Sequence, residues 1–191
     1  STHGHVVQLA KALKQGVEKV AGATGTIYQV PETLDEDVLA KVHAAPKEDF
    51  PIATPEILTD FDGILFGFPT RFGSFPAQMK SFWDATGGLW ARGALTGKTA
   101  GLFFSTGIQG DGQESTAFTA LTFLANYGMT YVPLGYRSPH LFNMEEIHGG
   151  SCWGTGTLAG ADGKRQATKL ELEIADVQGQ SFAEVTKKLA A

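Results

Sequence analysis

Two short apolar runs, each ending in a loop of small and hydroxyl-bearing residues, constrain the fold of this chain more than any other feature. The first run covers residues 63–68 and the second covers residues 99–104. Neither run alternates polar and apolar residues, which is typical of parallel strands that helices cover on both faces. Helical patterns precede and follow both runs. The sequence therefore predicts an α/β fold with a doubly wound parallel sheet.

The remaining elements are predicted from periodicity and from residues that begin or end helices. Apolar residues repeat every three or four positions from Val6 to Val20, which predicts the first helix. Thr168 and Glu171 form a capping box at the start of the last helix. Other helices are predicted over 32–42, from Pro55, over 74–85 and around 118–125. Further strands are predicted over 26–30 and 129–134, and a loop over 86–93.

Residues 135–167 are rich in glycine and show no regular period, which predicts an irregular insertion within a single domain over residues 1–191. The sequence also begins on a helix cap with no strand ahead of it. In a βαβ fold, the strand before the first helix usually lies near the centre of the sheet. We therefore expect a short apolar strand upstream of Ser1, which would complete a five-stranded sheet.

Composition excludes several classes of protein. The chain has 15 Lys and Arg against 20 Asp and Glu, a net charge of -5, so it lacks the basic surface that nucleic-acid binding requires. A hydrophobic content of 42% excludes a disordered chain. No apolar run approaches the length of about 18 residues needed to span a bilayer. The single Cys152 suits a reducing compartment, and we expect a cytoplasmic protein.

Three loops share a chemistry that suits a phosphorylated flavin. Residues 1–6 combine hydroxyls, a glycine and the N–H groups of a helix N-terminus, which can hold an anion without Lys or Arg. Residues 69–73 offer Thr and Arg beside an aromatic ring, and residues 105–112 offer hydroxyls and small residues that let a flat ring approach the backbone. Because ligands of doubly wound sheets bind where strands end and loops begin, the three loops together predict one site.

Several longer stretches add a resemblance to a known family. They are Pro-Thr-Arg-Phe-Gly at 69–73, Thr-Gly-Gly-Leu-Trp-Ala at 86–91, Ser-Thr-Gly at 105–107 and His-Gly-Gly-Ser-Cys-Trp-Gly at 148–154. Through them the sequence resembles the WrbA-type NAD(P)H:quinone oxidoreductases. These are flavodoxin-like proteins that bind FMN and form tetramers. The resemblance runs over essentially the whole chain and implies a flavodoxin-like fold.

The resemblance also implies which residues form the site. Trp90, Asn126 and His3 would contact the nicotinamide and the quinone, with Trp90 contributed by a neighbouring subunit of a homotetramer. His3 stands where the family usually has tyrosine, and Asn126 stands where many members have histidine. The implied FMN contacts are Ser1, Thr2, His3, Gly4, His5, Val6, Pro69, Thr70, Arg71, Phe72, Gly73, Ser105, Thr106, Gly107, Ile108, Gln109 and Gly110.

The activity implied is the FMN-dependent, two-electron reduction of quinones by NADH or NADPH, with ping-pong turnover. No side chain is assigned as an obligatory acid or base, and no metal site is expected. A one-electron flavodoxin-type carrier and a flavin-free binding or scaffold protein are the alternatives. Residues 154–159 satisfy G-x-G-x-x-A, but they neither follow a predicted strand nor open a helix, so we do not interpret them as a Rossmann fingerprint.

Overall fold

The computed structural model describes residues 2–190, in which helices and short parallel strands alternate. Two 3₁₀ helices, Pro55–Asp60 and Pro139–Phe142, lie between these elements. The α-helices are α1 (His5–Glu18), α2 (Glu36–Lys41), α3 (Ala77–Asp84), α4 (Gly87–Ala91), α5 (Gln113–Asn126) and α6 (Lys169–Leu189). The strands are β1 (Gly63–Pro69), β2 (Thr99–Thr106), β3 (Thr130–Tyr131) and β4 (Gly156–Leu158).

β2 is the centre of the sheet. β1 pairs with it in parallel along its whole length, from Gly63 opposite Thr99 to Pro69 opposite Ser105. On the other edge of β2, β3 pairs with its beginning and β4 with its end, both in parallel. Every residue of β2 is buried, which explains why its sequence is apolar without alternation.

Side chains of β1 and β2 alternate between two helical layers. Leu65 and Phe103 face α1 and α6. The opposite layer, α3 and α5, is faced by Phe66, Phe68 and Phe104. An aromatic cluster lies there, in which the rings of Trp83 and Phe123 stack 4.0 Å apart. Three further rings pack edge-on against Trp83, namely those of Phe66, Phe68 and Phe75. This two-layer arrangement is the predicted doubly wound fold.

Helices α1 and α6 approach each other closely because each has a glycine at the contact. A Cβ atom on Gly16 would lie 1.9 Å from the carbonyl oxygen of Asp176. A Cβ atom on Gly179 would lie 2.0 Å from the carbonyl oxygen of Leu13. No side chain fits at either position unless the helices move apart.

Several predicted elements differ from the structure. Residues 26–30 do not form a strand; only Gln29 makes a bridge, to Ile52. The predicted loop over 86–93 contains the short helix α4, and the predicted strand over 129–134 is reduced to the two residues of β3. The insertion, predicted to be irregular, supplies β4. With only three residues, β4 is too short to show a period, and it is buried by pairing with β2 rather than by its own pattern.

The sheet has four strands within residues 2–190, whereas five were predicted for the complete fold. The expected strand ahead of Ser1 lies outside the described residues. Within them, no named strand pairs with the outer edge of β1. A cavity of about 1650 Å³ separates that edge from residues 26–30 and is lined by apolar side chains that include Leu13, Tyr28 and Leu65.

Two further findings concern residues 2–190 as a whole. No helix among them has the length and hydropathy required to cross a membrane. No group of three or more His, Cys, Asp or Glu side chains is arranged to hold a metal ion within this range.

Candidate functional site

The three predicted loops meet at the carboxyl end of the sheet. The N–H of Thr70 donates to the carbonyl of Ser105 over 2.9 Å, which joins the loop after β1 to the end of β2. The Thr70 hydroxyl lies 2.5 Å from the hydroxyl of Thr116 on α5. Arg71 Nη2 lies 3.4 Å from Thr2 Oγ1, which brings the same loop to the residues before α1.

The N-terminus of α1 has the chemistry of an anion site. Gly4 caps the helix with φ 79°, a left-handed conformation that favours glycine. The N-cap Gly4 supplies no side-chain cap, and the first turn of the helix contains no acidic residue. A Cβ atom on Gly4 would meet nothing within 4 Å, so the surface beside the cap is open. Helix N–H groups and the helix dipole suit a phosphate at this place, and the Arg71 guanidinium lies beside Thr2.

The loop after β1 is a tight turn that projects an aromatic ring. Arg71 and Ser74 exchange backbone hydrogen bonds of 2.6 and 3.0 Å across the turn. Phe72 and Gly73 between them have φ values of 54° and 75°. A phenylalanine in this region is uncommon and is held there by the surrounding structure. The Phe72 side chain is fully exposed, as suits a residue that contacts a ligand or another subunit.

The loop after β2 is fixed by its own side chains and by α5. The N–H groups of Gly107 and Ile108 donate to Asp111 Oδ2 over 2.9 and 3.1 Å. The Thr106 hydroxyl donates to the Ile108 carbonyl over 3.0 Å and accepts a bond of 3.0 Å from Gln113 Nε2. Ser105 and Thr106 are buried, whereas Ile108, Gln109 and Gly110 are exposed. The loop therefore has one defined conformation with an exposed tip.

The insertion forms part of this site, which the sequence analysis did not predict. The N–H of Gly160 donates to the Gly107 carbonyl over 2.9 Å. His5 Nε2 donates to the Arg165 carbonyl over 2.6 Å, and the His5 side chain is buried. His3 is exposed and its ring lies against Gly163. The His5 ring is thus a structural anchor, which leaves only the backbone of His5 for a ligand.

A buried carboxylate holds the insertion in place. Glu171 Oε1 accepts from the N–H of Gly149 over 2.9 Å. Its Oε2 accepts from the Thr157 hydroxyl, the Thr168 N–H and the Arg165 guanidinium over 2.8, 2.9 and 3.1 Å. The predicted capping box is confirmed, but it accounts for only one of these four bonds. The other three reach residues that no local spacing identifies.

Trp90 and Asn126 lie together, away from the loop after β2 of the same chain. The Trp90 indole donates to the Asn126 carbonyl over 3.2 Å, and Trp90 is 59% exposed. Asn126 ends α5, whereas Gln113 at its start lies beside the loop after β2. A helix rises about 1.5 Å per residue, so the two ends of α5 are about 20 Å apart. Within one chain, Trp90 therefore lies far from the loop after β2. The loop after β1 is nearer, because Thr119 donates to the Gly73 carbonyl over 2.9 Å, about 10 Å along α5 from Asn126.

Few titratable groups lie in this region. Within residues 2–6, 69–73 and 105–112, the ionisable side chains are His3, His5, Arg71 and Asp111. Elsewhere, burial raises the pKa of Tyr131 well above its usual range, with a smaller contribution from Cys152, and its hydroxyl donates to the Trp153 carbonyl. The arrangement thus offers backbone donors, hydroxyls and one guanidinium, which bind an anionic ligand, rather than a pair of acid–base groups.

Comparison with known proteins identifies the family. Residues 1–141 match the family described as NADPH-dependent FMN reductase, which is well over half of the chain. The chain belongs to this family. This FMN reductase family member is also 58% identical to the NAD(P)H quinone oxidoreductase PST3 of Candida albicans, over 98% of the chain and 95% of that protein. It is 55% identical to the quinone-oxidoreductase QR2 of Triphysaria versicolor, over 99% of the chain and 93% of that protein. The predicted resemblance is therefore confirmed.

Solved structures confirm the fold of this FMN reductase family member. A WrbA-like flavodoxin from Agrobacterium tumefaciens matches 97% of the chain and 91% of its own, with a TM-score of 0.60 and 22% identity. Oxidised flavodoxin 1 from Bacillus cereus matches 96% of the chain and 92% of its own, with a TM-score of 0.55 and 15% identity. The architecture is that of flavodoxin, as predicted.

Proposed function

We propose that this protein binds FMN at the three loops and catalyses the two-electron reduction of quinones by NADH or NADPH. When bound, FMN would supply the redox chemistry that transfers two electrons from the nicotinamide to the quinone, and formation of the hydroquinone consumes the hydride and one proton from solvent. The observation that carries the proposal is the meeting of the N-terminus of α1, Arg71 and two glycine-containing loops at one end of a flavodoxin-like sheet. The quinone oxidoreductases among its relatives support the same activity.

In this proposal, the N-terminus of α1 holds the phosphate. The backbone of residues 2–6 provides the donors, and the absence of an acidic residue from the first turn of α1 leaves the helix dipole uncompensated. Ser1, which the sequence assigns to the same group of contacts, lies outside the described residues. Arg71 adds a positive charge near Thr2, and it forms no ion pair with a described carboxylate.

The loops after β1 and β2 would flank the flavin ring on two sides. Thr70 is fixed between Ser105 and Thr116, so its backbone and hydroxyl are pre-organised. Arg71 would stabilise negative charge on the reduced ring, and Phe72 would provide an exposed aromatic surface beside it. Pro69, Gly73 and residues 105–110 would complete these walls.

A neighbouring subunit would complete the substrate pocket. We assign Trp90, and Asn126 beside it, to the flavin site of an adjacent copy, because they lie at the far end of α5, about 20 Å from the loop after β2 of their own chain. His3 would contact the substrate from the flavin-binding subunit. We propose a homotetramer. The support is a set of exposed large apolar side chains, which are unusual on the surface of a monomer: Phe72, Trp90, Ile108, Phe118, Tyr136, Phe142, Met144 and Ile147.

The test is to load the protein with FMN and measure steady-state turnover with NADH, NADPH and a series of quinones. We expect a flavin absorbance band on the purified protein, bleaching of that band by reduced nicotinamide, and recovery when quinone is added. A protein that binds FMN but is not reduced by either nicotinamide would be the one-electron carrier. A protein that binds no flavin would be the scaffold alternative, and either result would refute the proposal.

A further inference from the structure

The carboxylate of Asp111 occupies the two backbone donors at the tip of the loop after β2. Its Oδ2 atom accepts from both Gly107 N–H, over 2.9 Å, and Ile108 N–H, over 3.1 Å. Bonds of this kind, from N–H to an ionised acceptor, are stronger than bonds between neutral groups. Two donors that could point at a ligand therefore already have an anionic acceptor.

Asp111 is also the single carboxylate within residues 2–6, 69–73 and 105–112. It is exposed and forms no ion pair within 4.0 Å with a described cation. Arg71, the cation of the site, donates instead to Thr70 and Thr2. The negative charge of Asp111 is therefore uncompensated by a neighbouring side chain at the place where the site would meet an electron-rich ring.

We infer that Asp111 competes with the flavin ring for the N–H groups of Gly107 and Ile108 and thereby weakens FMN binding. This inference rests on the proposed function, since it assumes that FMN binds at these loops. The ring presents carbonyl oxygens and nitrogens that accept hydrogen bonds. Such an atom can bind the N–H of Gly107 or Ile108 only if it displaces the Asp111 carboxylate from that N–H. The charge also repels reduced flavin more than oxidised flavin, because reduction adds negative charge to the ring.

The loop does not need the charge to keep its shape. Asparagine at position 111 retains a side-chain oxygen that can accept from the same two N–H groups, although more weakly. The Thr106 hydroxyl, held by Gln113, continues to fix the Ile108 carbonyl from the other side. Asp111→Asn therefore removes the charge and preserves the acceptor.

The experiment measures binding of FMN and of riboflavin to apo-protein by quenching of flavin fluorescence. We expect Asp111→Asn to lower the Kd for both flavins by roughly three- to tenfold, the difference between a charged and a neutral hydrogen bond to the loop. We also expect the midpoint potential of the bound flavin to rise. Asp60→Asn is the matched control. It removes the same charge before the start of β1, about 20 Å away along the strand, and should change neither quantity.

Each other outcome overturns the inference. If Asp111→Asn weakens flavin binding, the carboxylate serves to order the loop. If the Kd falls for FMN but not for riboflavin, the charge acts on the phosphate and not at the ring. If the variant matches Asp60→Asn, Asp111 does not compete at all. Should the wild-type protein bind no flavin, the proposed function itself fails, which this measurement reveals before any variant is compared.

Discussion

Replacing Glu171 by glutamine should destabilise the protein by about 1–3 kcal/mol, although the two side chains have nearly the same shape. Glu171 is fully buried, and its two oxygens accept four hydrogen bonds. An amide has one oxygen. In its better orientation, the glutamine oxygen would replace Oε2 and keep the bonds from Thr157, Arg165 and Thr168.

The cost then has two parts. The amide nitrogen would face the N–H of Gly149, so a buried donor would lose its acceptor, at about 1–3 kcal/mol. The bond from Arg165 would also change from an ion pair to a bond with a neutral oxygen, which weakens it by about 1 kcal/mol. The smaller desolvation cost of a neutral amide offsets part of this sum.

Urea denaturation followed by far-ultraviolet circular dichroism measures the difference in unfolding free energy. Glu173→Gln is the matched control. Glu173 lies one turn away from Lys169 on the same helix, is partly exposed, and pairs with Lys169 and His140. Surface pairs of this kind contribute less than about 1 kcal/mol. If Glu171→Gln were as stable as Glu173→Gln, the four bonds to the carboxylate would not hold the insertion as we argue.

Three further predictions concern packing, catalysis and pH. Gly16→Ala should lower the free energy of unfolding by about 2 kcal/mol or more, because its Cβ atom would lie 1.9 Å from the carbonyl oxygen of Asp176. Thermal melts measure this difference, with Gly87→Ala as the control: its Cβ atom would meet nothing within 4 Å, so its stability should be almost unchanged. Trp90→Ala should lower kcat/KM for quinones about tenfold, because an aromatic contact with the substrate is lost, and should leave FMN affinity unchanged. Equal losses of kcat/KM and of FMN affinity would contradict a role in the substrate pocket. Burial raises the pKa of Tyr131, so the folded protein retains a proton that the unfolded chain releases above about pH 10. Unfolding free energy should therefore fall as pH rises beyond that value, and Tyr131→Phe should reduce this loss in urea melts from pH 8 to 11.

The sequence predicts the features that depend on local pattern. The apolar runs of β1 and β2 are recognisable because both strands are buried on both faces, and the loops that follow them are recognisable because small and hydroxyl residues interrupt those runs. The capping box of Thr168 is readable because its two partners lie three residues apart. All of these signals lie within a few residues of one another.

Features that depend on distant contacts were not predictable in this way. β4 has only three residues and forms by pairing with β2, some 50 positions earlier in the chain. The bonds from Gly149 to Glu171 and from Gly160 to Gly107 join separate loops and leave no spacing pattern. Even the nearby bond from Gly107 to Asp111 is not predictable, since an aspartate in a polar loop is usually a solvated residue.

The outer edge of β1 links the stability of residues 2–190 to any segment that pairs with it. That edge faces the apolar cavity of about 1650 Å³ and pairs with no named strand of residues 2–190. Any extended apolar segment that paired there would bind the folded chain and not the unfolded one. By mass action, the melting temperature would rise with the concentration of that segment.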